Sequence, residues 1–141
     1  MRPQIVLDTS VLFAGLYSRL GAAFAVLDCI GKGLVDIHLS VPIVLEYEDV
    51  LKREAKRLGL TQEDIDATIN SLCALGKHHK IYYLWRPVLP DPGDDMLMEV
   101  AVTAQCHFIV THNLRHFTGI KTFGIQALSP LQLLQKIGAQ P

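Results

Sequence analysis

Four stretches of the chain carry oxygen donors where packing alone does not call for them. Asp8 ends the apolar run Ile5-Val6-Leu7, and Thr9 and Ser10 follow it. Glu46 lies in Val44-Leu45-Glu46-Tyr47. Three carboxylates crowd Asp91-Pro92-Gly93-Asp94-Asp95. Val110-Thr111-His112-Asn113 closes with a hydroxyl, an imidazole and an amide. A carboxylate is almost never fully buried unless it is paired or bound to a metal. Two of them ~4 Å apart repel by about 1 kcal/mol in water and ~4 kcal/mol at an effective dielectric near 20. Three facing one another therefore need a counter-charge. Hard oxygen donors select Mg²⁺ or Mn²⁺. Such a cation activates a bound water and stabilises displacement at a phosphorus centre.

Each group also has a plainer reading. Asp8, Thr9 or Ser10 can cap the helix that follows. Glu46, taken singly, fits a solvated helix position. Acids at a helix start suit the helix dipole, although one is enough for that role. Adjacent residues on a helix diverge by ~100°, so of Asp94 and Asp95 one can cap while the other turns inward.

The elements that must position these groups alternate. Ile5–Leu7 reads as a strand buried on both faces. Ala22–Ile30 has helical spacing and stops at Gly31-Lys32-Gly33. Leu34–Leu39 alternates as a second strand. Ser40 caps a helix expected from about Pro42 to Leu58, ended by Gly59. Thr61, with Asp64 three residues on, opens another helix, with Ile65, Ile69, Leu72 and Leu75 on its buried face. Ile81–Leu84 is expected as the third strand, and Trp85–Gly93 as a Pro-rich loop. A helix capped by Gly93 or Asp94 should run to about Gln105. His107–Thr111 is the fourth strand and His112–Gly119 a loop or short helical turn. A fifth strand lies within Lys121–Leu128, and Ser129-Pro130 starts the last helix. Strands alternating with helices imply an α/β fold, with helices on both faces of a parallel sheet. In such sheets ligands bind at the carboxyl ends of the strands. Asp8, Glu46, Asp94 or Asp95, and Asn113 all fall at those ends or at the helix starts that follow.

Composition narrows the partners. The 141 residues suffice for one domain, expected over 1–137 with a four-residue tail at 138–141. The formal net charge of −1 offers no bulk attraction to nucleic acid, so such a partner would be held by a local patch. No apolar run approaches the ~20 residues needed to cross a membrane, and Arg2-Pro3-Gln4 leads into a run too short for a signal peptide. Cys29, Cys73 and Cys106 are scattered and odd in number, which suggests packed, reduced thiols and a cytoplasmic setting.

The stretches Val6-Leu7-Asp8-Thr9-Ser10-Val11-Leu12, Leu45-Glu46-Tyr47-Glu48-Asp49-Val50-Leu51, Asp91–Asp95 and Val110–Asn113, in that order and spacing, resemble the PIN-domain family. They look like its VapC-like branch, the toxin components of toxin–antitoxin systems. The resemblance implies a three-layer Rossmann-like sandwich with about five parallel strands and a metal-dependent ribonuclease site. Its first acid falls on Asp8 and its helix glutamate on Glu46. Its third acid falls on Asp95, with Asp94 as runner-up, and its fourth acidic position on Asn113. An amide there supplies oxygen but no charge, which weakens the hold on a second metal. In this branch a Thr-His-Asn loop is often followed by Arg-Asp-Phe; here Arg115-His116-Phe117 has histidine instead. The implied scheme has Asp8, Glu46 and Asp95 hold one Mg²⁺ or Mn²⁺. Thr9, Ser10, Asp94, Thr111 and Asn113 support these ligands or position water or phosphate. An antitoxin partner and a homodimer follow from the resemblance alone.

For RNA, His112, Arg115 and His116 lie beside the expected site. Lys52, Arg53, Lys56 and Arg57 recur on the helix after Glu46, and Lys77–Lys80 form a further cluster. Each also fits a solvated face. Tyr82, Tyr83 and Trp85 could stack bases or pack. Phosphate contacts give affinity without sequence choice. A phosphoryl-aspartate enzyme of the haloacid dehalogenase type would need an acid where Ser10 stands, and no G-x-x-x-x-G-K-[ST] loop is present. The remaining alternative is a weakened member of the family that binds RNA or protein without cleaving.

Overall fold

The computed structural model describes residues 2–81 and 92–138. Five strands, β1 (Gln4–Leu7), β2 (Asp36–Leu39), β3 (Lys77–His78), β4 (Phe108–Val110) and β5 (Gln126–Leu128), form one sheet in the order β3-β2-β1-β4-β5, with every pairing parallel. Among the described residues seven helices accompany them: α1 (Thr9–Tyr17), α2 (Ala22–Gly31), α3 (Val41–Arg53), α4 (Ala55–Leu58), α5 (Gln62–Leu75), α6 (Pro92–Thr103) and α7 (Pro130–Ile137). Ile5, Val6 and Leu7 are all fully buried. Successive strand residues point to opposite faces, so both faces of the sheet are covered at β1. This is the α/β architecture expected from the alternation of patterns.

The strand order reverses between β1 and β4. The chain works outward from β1 through β2 to β3, then crosses back to lay β4 on the other side of β1. A crevice opens at the carboxyl ends where an open parallel sheet changes direction in this way. Register brings the two ends level: Leu7 stands opposite Val110, and the Asp8 N–H donates to the Val110 carbonyl at 2.9 Å.

Local chemistry starts the helices where expected, with some exceptions. Ser40 accepts from the Ile43 N–H, and Thr61 with Asp64 and Ser129 with Gln132 form complete capping boxes. The helix expected from Pro42 to Leu58 is broken at Glu54, and α4 then turns against α1. The helix expected to be capped at Gly93 or Asp94 begins earlier, at Pro92. Proline suits a first turn because it carries no N–H to satisfy and its φ is preset, so Asp94 and Asp95 lie inside the first turn. β3 falls on Lys77–His78, directly after Gly76 ends α5, and Ile81 is outside any strand. A short edge strand tolerates charge that a central one does not. The rest of the expected third strand, Tyr82–Leu84, lies outside the described residues, as do Trp85, Asp91 and the tail from 139 onward.

Candidate metal centre

The acids are set by what precedes them. Ile5–Leu7 is buried strand, so the chain must emerge at Asp8, which is 9 % exposed and caps α1. Both readings of this residue hold at once. Asp8 Oδ1 accepts from the Ser10 N–H at 3.4 Å, and Oδ2 accepts from the Thr111 hydroxyl at 2.6 Å. Thr111 is 0 % exposed and also accepts from the Asn113 N–H at 2.9 Å. Its hydroxyl is therefore committed to fixing Asp8 and the turn that carries Asn113, rather than open to a phosphate. Ser10 Oγ accepts from the His112 N–H at 3.4 Å, a second tie between the ends of β1 and β4.

Glu46 is placed by its neighbour. Ile43, Tyr47 and Leu51 recur every four residues and are buried, so one stripe of α3 faces the core. The Tyr47 phenol reaches through that core and donates to the Leu7 carbonyl. Burial pushes this phenol up, and the Asp8 carboxylate adds to the shift. Tyr47 thus anchors α3 to the residue before Asp8, and Glu46 is turned toward the crevice beside it. Periodicity marks Tyr47 as core, but its contact with Leu7 is not readable from spacing.

A cavity of about 260 Å³ opens at this point, with Asp8, Thr9, Ile43, Glu46, Asp94, Met96, Leu97, Asn113 and His116 on its walls. Asp8, Glu46, Asp94 and Asn113, from four separate stretches of sequence, share it. Asp95 does not line it and is only 1 % exposed. Adjacent acids on α6 diverge as helix geometry requires, and it is Asp94 that faces the opening. His116 Nδ1 lies 2.9 Å from Asp94 Oδ2, within hydrogen-bonding range, so this histidine touches an acid of the site.

The remaining cationic candidates sit further out. Arg53 pairs with Asp49 at 3.2 Å and Lys52 with Glu48 at 3.8 Å, so much of the charge on α3 is answered one turn away. His112 and Arg115 are exposed beside the cavity's Asn113.

The donors suit a hard divalent cation in kind: three carboxylates and an amide oxygen. Their spacing is open. Among the described residues, no three histidine, cysteine, aspartate or glutamate side chains stand close enough to share one ion. The free cysteines, Cys29, Cys73 and Cys106, stand away from the cavity, and burial pushes the Cys106 thiol up to about 12. No single described helix is long and apolar enough to cross a membrane.

No curated protein matches the chain. A family model described as PIN domain matches residues 4–115, a span that takes in Asp8, Glu46, Asp94, Asp95 and Asn113 and stops one residue short of His116. PIN domains are usually metal-dependent nucleases and generally bind divalent metals. A match that runs from β1 through the turn after β4, over a sheet of five parallel strands, makes this chain a member of the PIN-domain family.

Proposed function

We propose that this protein is a Mg²⁺- or Mn²⁺-dependent endoribonuclease, with Asp8, Glu46 and Asp94 as the carboxylates that hold the ion. The observation that supports this is the shared cavity: Asp8, Glu46, Asp94 and Asn113 all line one opening beside the point where the sheet reverses direction. Asp94, which lines the cavity, is taken as the third ligand in preference to Asp95, the position to which the family resemblance points and which is 1 % exposed. When bound, a divalent cation lowers the pKa of a coordinated water and neutralises charge at a phosphodiester. The chain supplies the rest. Thr111 fixes the Asp8 carboxylate, His116 fixes Asp94, and Tyr47 holds the helix that presents Glu46. The Asn113 amide orients water or a phosphate oxygen without adding charge, which favours one ion over two. Exposed His112 and Arg115 receive the RNA backbone.

The motif resemblance supports assigning the enzyme to the toxin branch. A small antitoxin covering the site, a homodimer and a cytoplasmic setting belong to that assignment. A second reading, a weakened module that binds without cleaving, draws on Asn113 standing where an acid would add charge and on the open spacing of the acids.

The test is cleavage of a single-stranded RNA by purified protein in Mn²⁺. Asp8→Asn and Asp94→Asn should each lower the rate at least a hundredfold, and Asp95→Asn should lower it much less. Asp8→Asn with undiminished metal-dependent cleavage would remove the assignment. Metal binding without cleavage by the wild type would favour the second reading.

A further inference from the structure

Beyond the acidic cavity, α1 carries two rings on its outer surface. Phe13 and Tyr17 are four residues apart and lie stacked, with ring centroids 5.8 Å apart and planes 12° from parallel. The Arg57 guanidinium carbon stands 5.2 Å from the Phe13 centroid and 5.7 Å from that of Tyr17. Tyr17 is 59 % exposed and the Arg57 side chain 62 % exposed. Arg57 reaches the rings because the break at Glu54 turns α4 against α1, and it also pairs with Glu54 at 3.5 Å. Two aromatic faces beside a weakly hydrated cation take up large apolar area. Phe13 is half-buried and Tyr17 largely exposed, so the pair and the guanidinium together present an aromatic, cationic surface to solvent.

Its position relative to the acids is specific. α1 begins one residue after Asp8, so the backbone of Phe13 lies roughly 7.5 Å and that of Tyr17 about 13.5 Å along the helix axis from the backbone of Asp8. A depression of about 300 Å³ runs from Thr9 and Ser10 to Phe13 and Arg57, and Thr9 is also a wall of the acidic cavity. A second groove, about 430 Å³, passes Phe13 and Tyr17 and ends at His112, next to Asn113. Thr9 thus joins the depression at Phe13 and Arg57 to the acidic cavity, and the groove past the rings reaches His112.

We propose that Phe13, Tyr17 and Arg57 form a stacking platform for a nucleobase of single-stranded RNA, whose neighbouring phosphate would reach the acidic cavity only when a divalent ion is bound there. This rests on the nuclease reading for the identity of the cavity, but not for the platform's own test. Every base has a π-face, so the platform accepts any base without choosing a sequence. The guanidinium adds a cation–π contact and a charge for the backbone. Duplex bases are already stacked on one another, so the site selects unpaired strands.

The experiment measures binding of a fluorescent hexauridylate, and of an abasic ribose-phosphate hexamer of equal charge, to wild-type protein in EDTA, where no cleavage occurs. The platform predicts that the base-bearing oligomer binds about tenfold more tightly, and that Tyr17→Leu removes most of that preference. Tyr17→Phe should retain it, and Arg57→Met should weaken binding of both oligomers. Thermal melts of each variant check folding, and the wild-type comparison stands even if a variant fails to fold. Equal binding of the two oligomers, or binding of neither, overturns the proposal. A base preference without Mn²⁺-dependent cleavage would keep the platform and end the nuclease reading. Cleavage without a base preference would do the reverse.

Discussion

Asp8 accepts two hydrogen bonds, and the shorter, from Thr111, joins a buried hydroxyl to a carboxylate. Bonds of this kind are about twice as strong as neutral ones. They also fix which way a metal ligand points. Thr111→Val keeps the shape and deletes the hydroxyl, leaving Asp8 Oδ2 and the Asn113 N–H without this partner. The expected cost is ~1–3 kcal/mol in urea unfolding, together with a loss of roughly 10–100-fold in Mn²⁺ affinity by titration. Lost stability with unchanged affinity would confine Thr111 to packing. At this scale the sequence marks stretches rich in oxygen donors, and Asp8, Glu46, Asp94 and Asn113 from those stretches line one cavity. The preference for Asp94 over Asp95 rests on which of them lines the cavity, and that depends on where α6 starts, at Pro92, a point the Pro-rich sequence before it leaves open. His116, a candidate RNA contact, also has its ring on Asp94, a pairing of positions 22 residues apart that no local pattern encodes.

Among the elements, α3 has the most direct consequence for the site. Its stripe of Ile43, Tyr47 and Leu51 is plain in the sequence, and its cap at Ser40 follows from side-chain chemistry. The bond from Tyr47 to Leu7 is not, because it depends on how α3 crosses β1. Tyr47→Phe leaves the Leu7 carbonyl without this donor, and should cost about 1–3 kcal/mol. It should also lower cleavage more than it lowers RNA binding, since it loosens Glu46 and not the backbone contacts. Equal losses in both would indicate general unfolding. The edge of the sheet carries a different device. His38, in β2, is buried and lies 2.7 Å from His79 Nε2 and 2.5 Å from Gln4 Oε1. Burial, then the nearby His79 and Lys77, push its imidazole down to about 4, although Asp36 pulls the other way. An imidazole depressed below its unfolded value near 6.5 favours the neutral form in the fold. It stabilises the protein fully above pH 6.5, and that contribution is lost as pH falls through about 4. His38→Gln removes the titration. The stability difference between wild type and variant should therefore shrink between pH 7 and pH 4 in urea unfolding, and a constant difference would contradict this account. The charged run Lys77–His79, which sequence reading treated as a surface cluster, supplies β3 and part of this network.

For the whole molecule, the decisive feature is the strand order, with β1 and β4 side by side at the centre. Alternating strand and helix patterns were enough to imply a parallel sheet. Adjacency of β1 and β4 was not, since sequence patterns give elements but not their neighbours. That adjacency brings Asp8 and Thr111 together across more than a hundred residues. With a formal net charge of −1, the molecule has no general attraction for RNA, and binding should depend on the few cationic groups near the cavity. A divalent ion that binds only the folded protein should stabilise it by ~2.7 kcal/mol at a hundred times its dissociation constant. Mn²⁺ should therefore raise the melting temperature of the wild type and leave that of Asp8→Asn almost unmoved. The most direct measurement is the anomalous scattering of a crystal soaked in Mn²⁺. The account predicts one peak in the cavity, bonded to the carboxylates of Asp8 and Asp94 and linked to Glu46 directly or through water. A peak on Asp95 with none at Asp94, or no peak at saturating Mn²⁺, would contradict it.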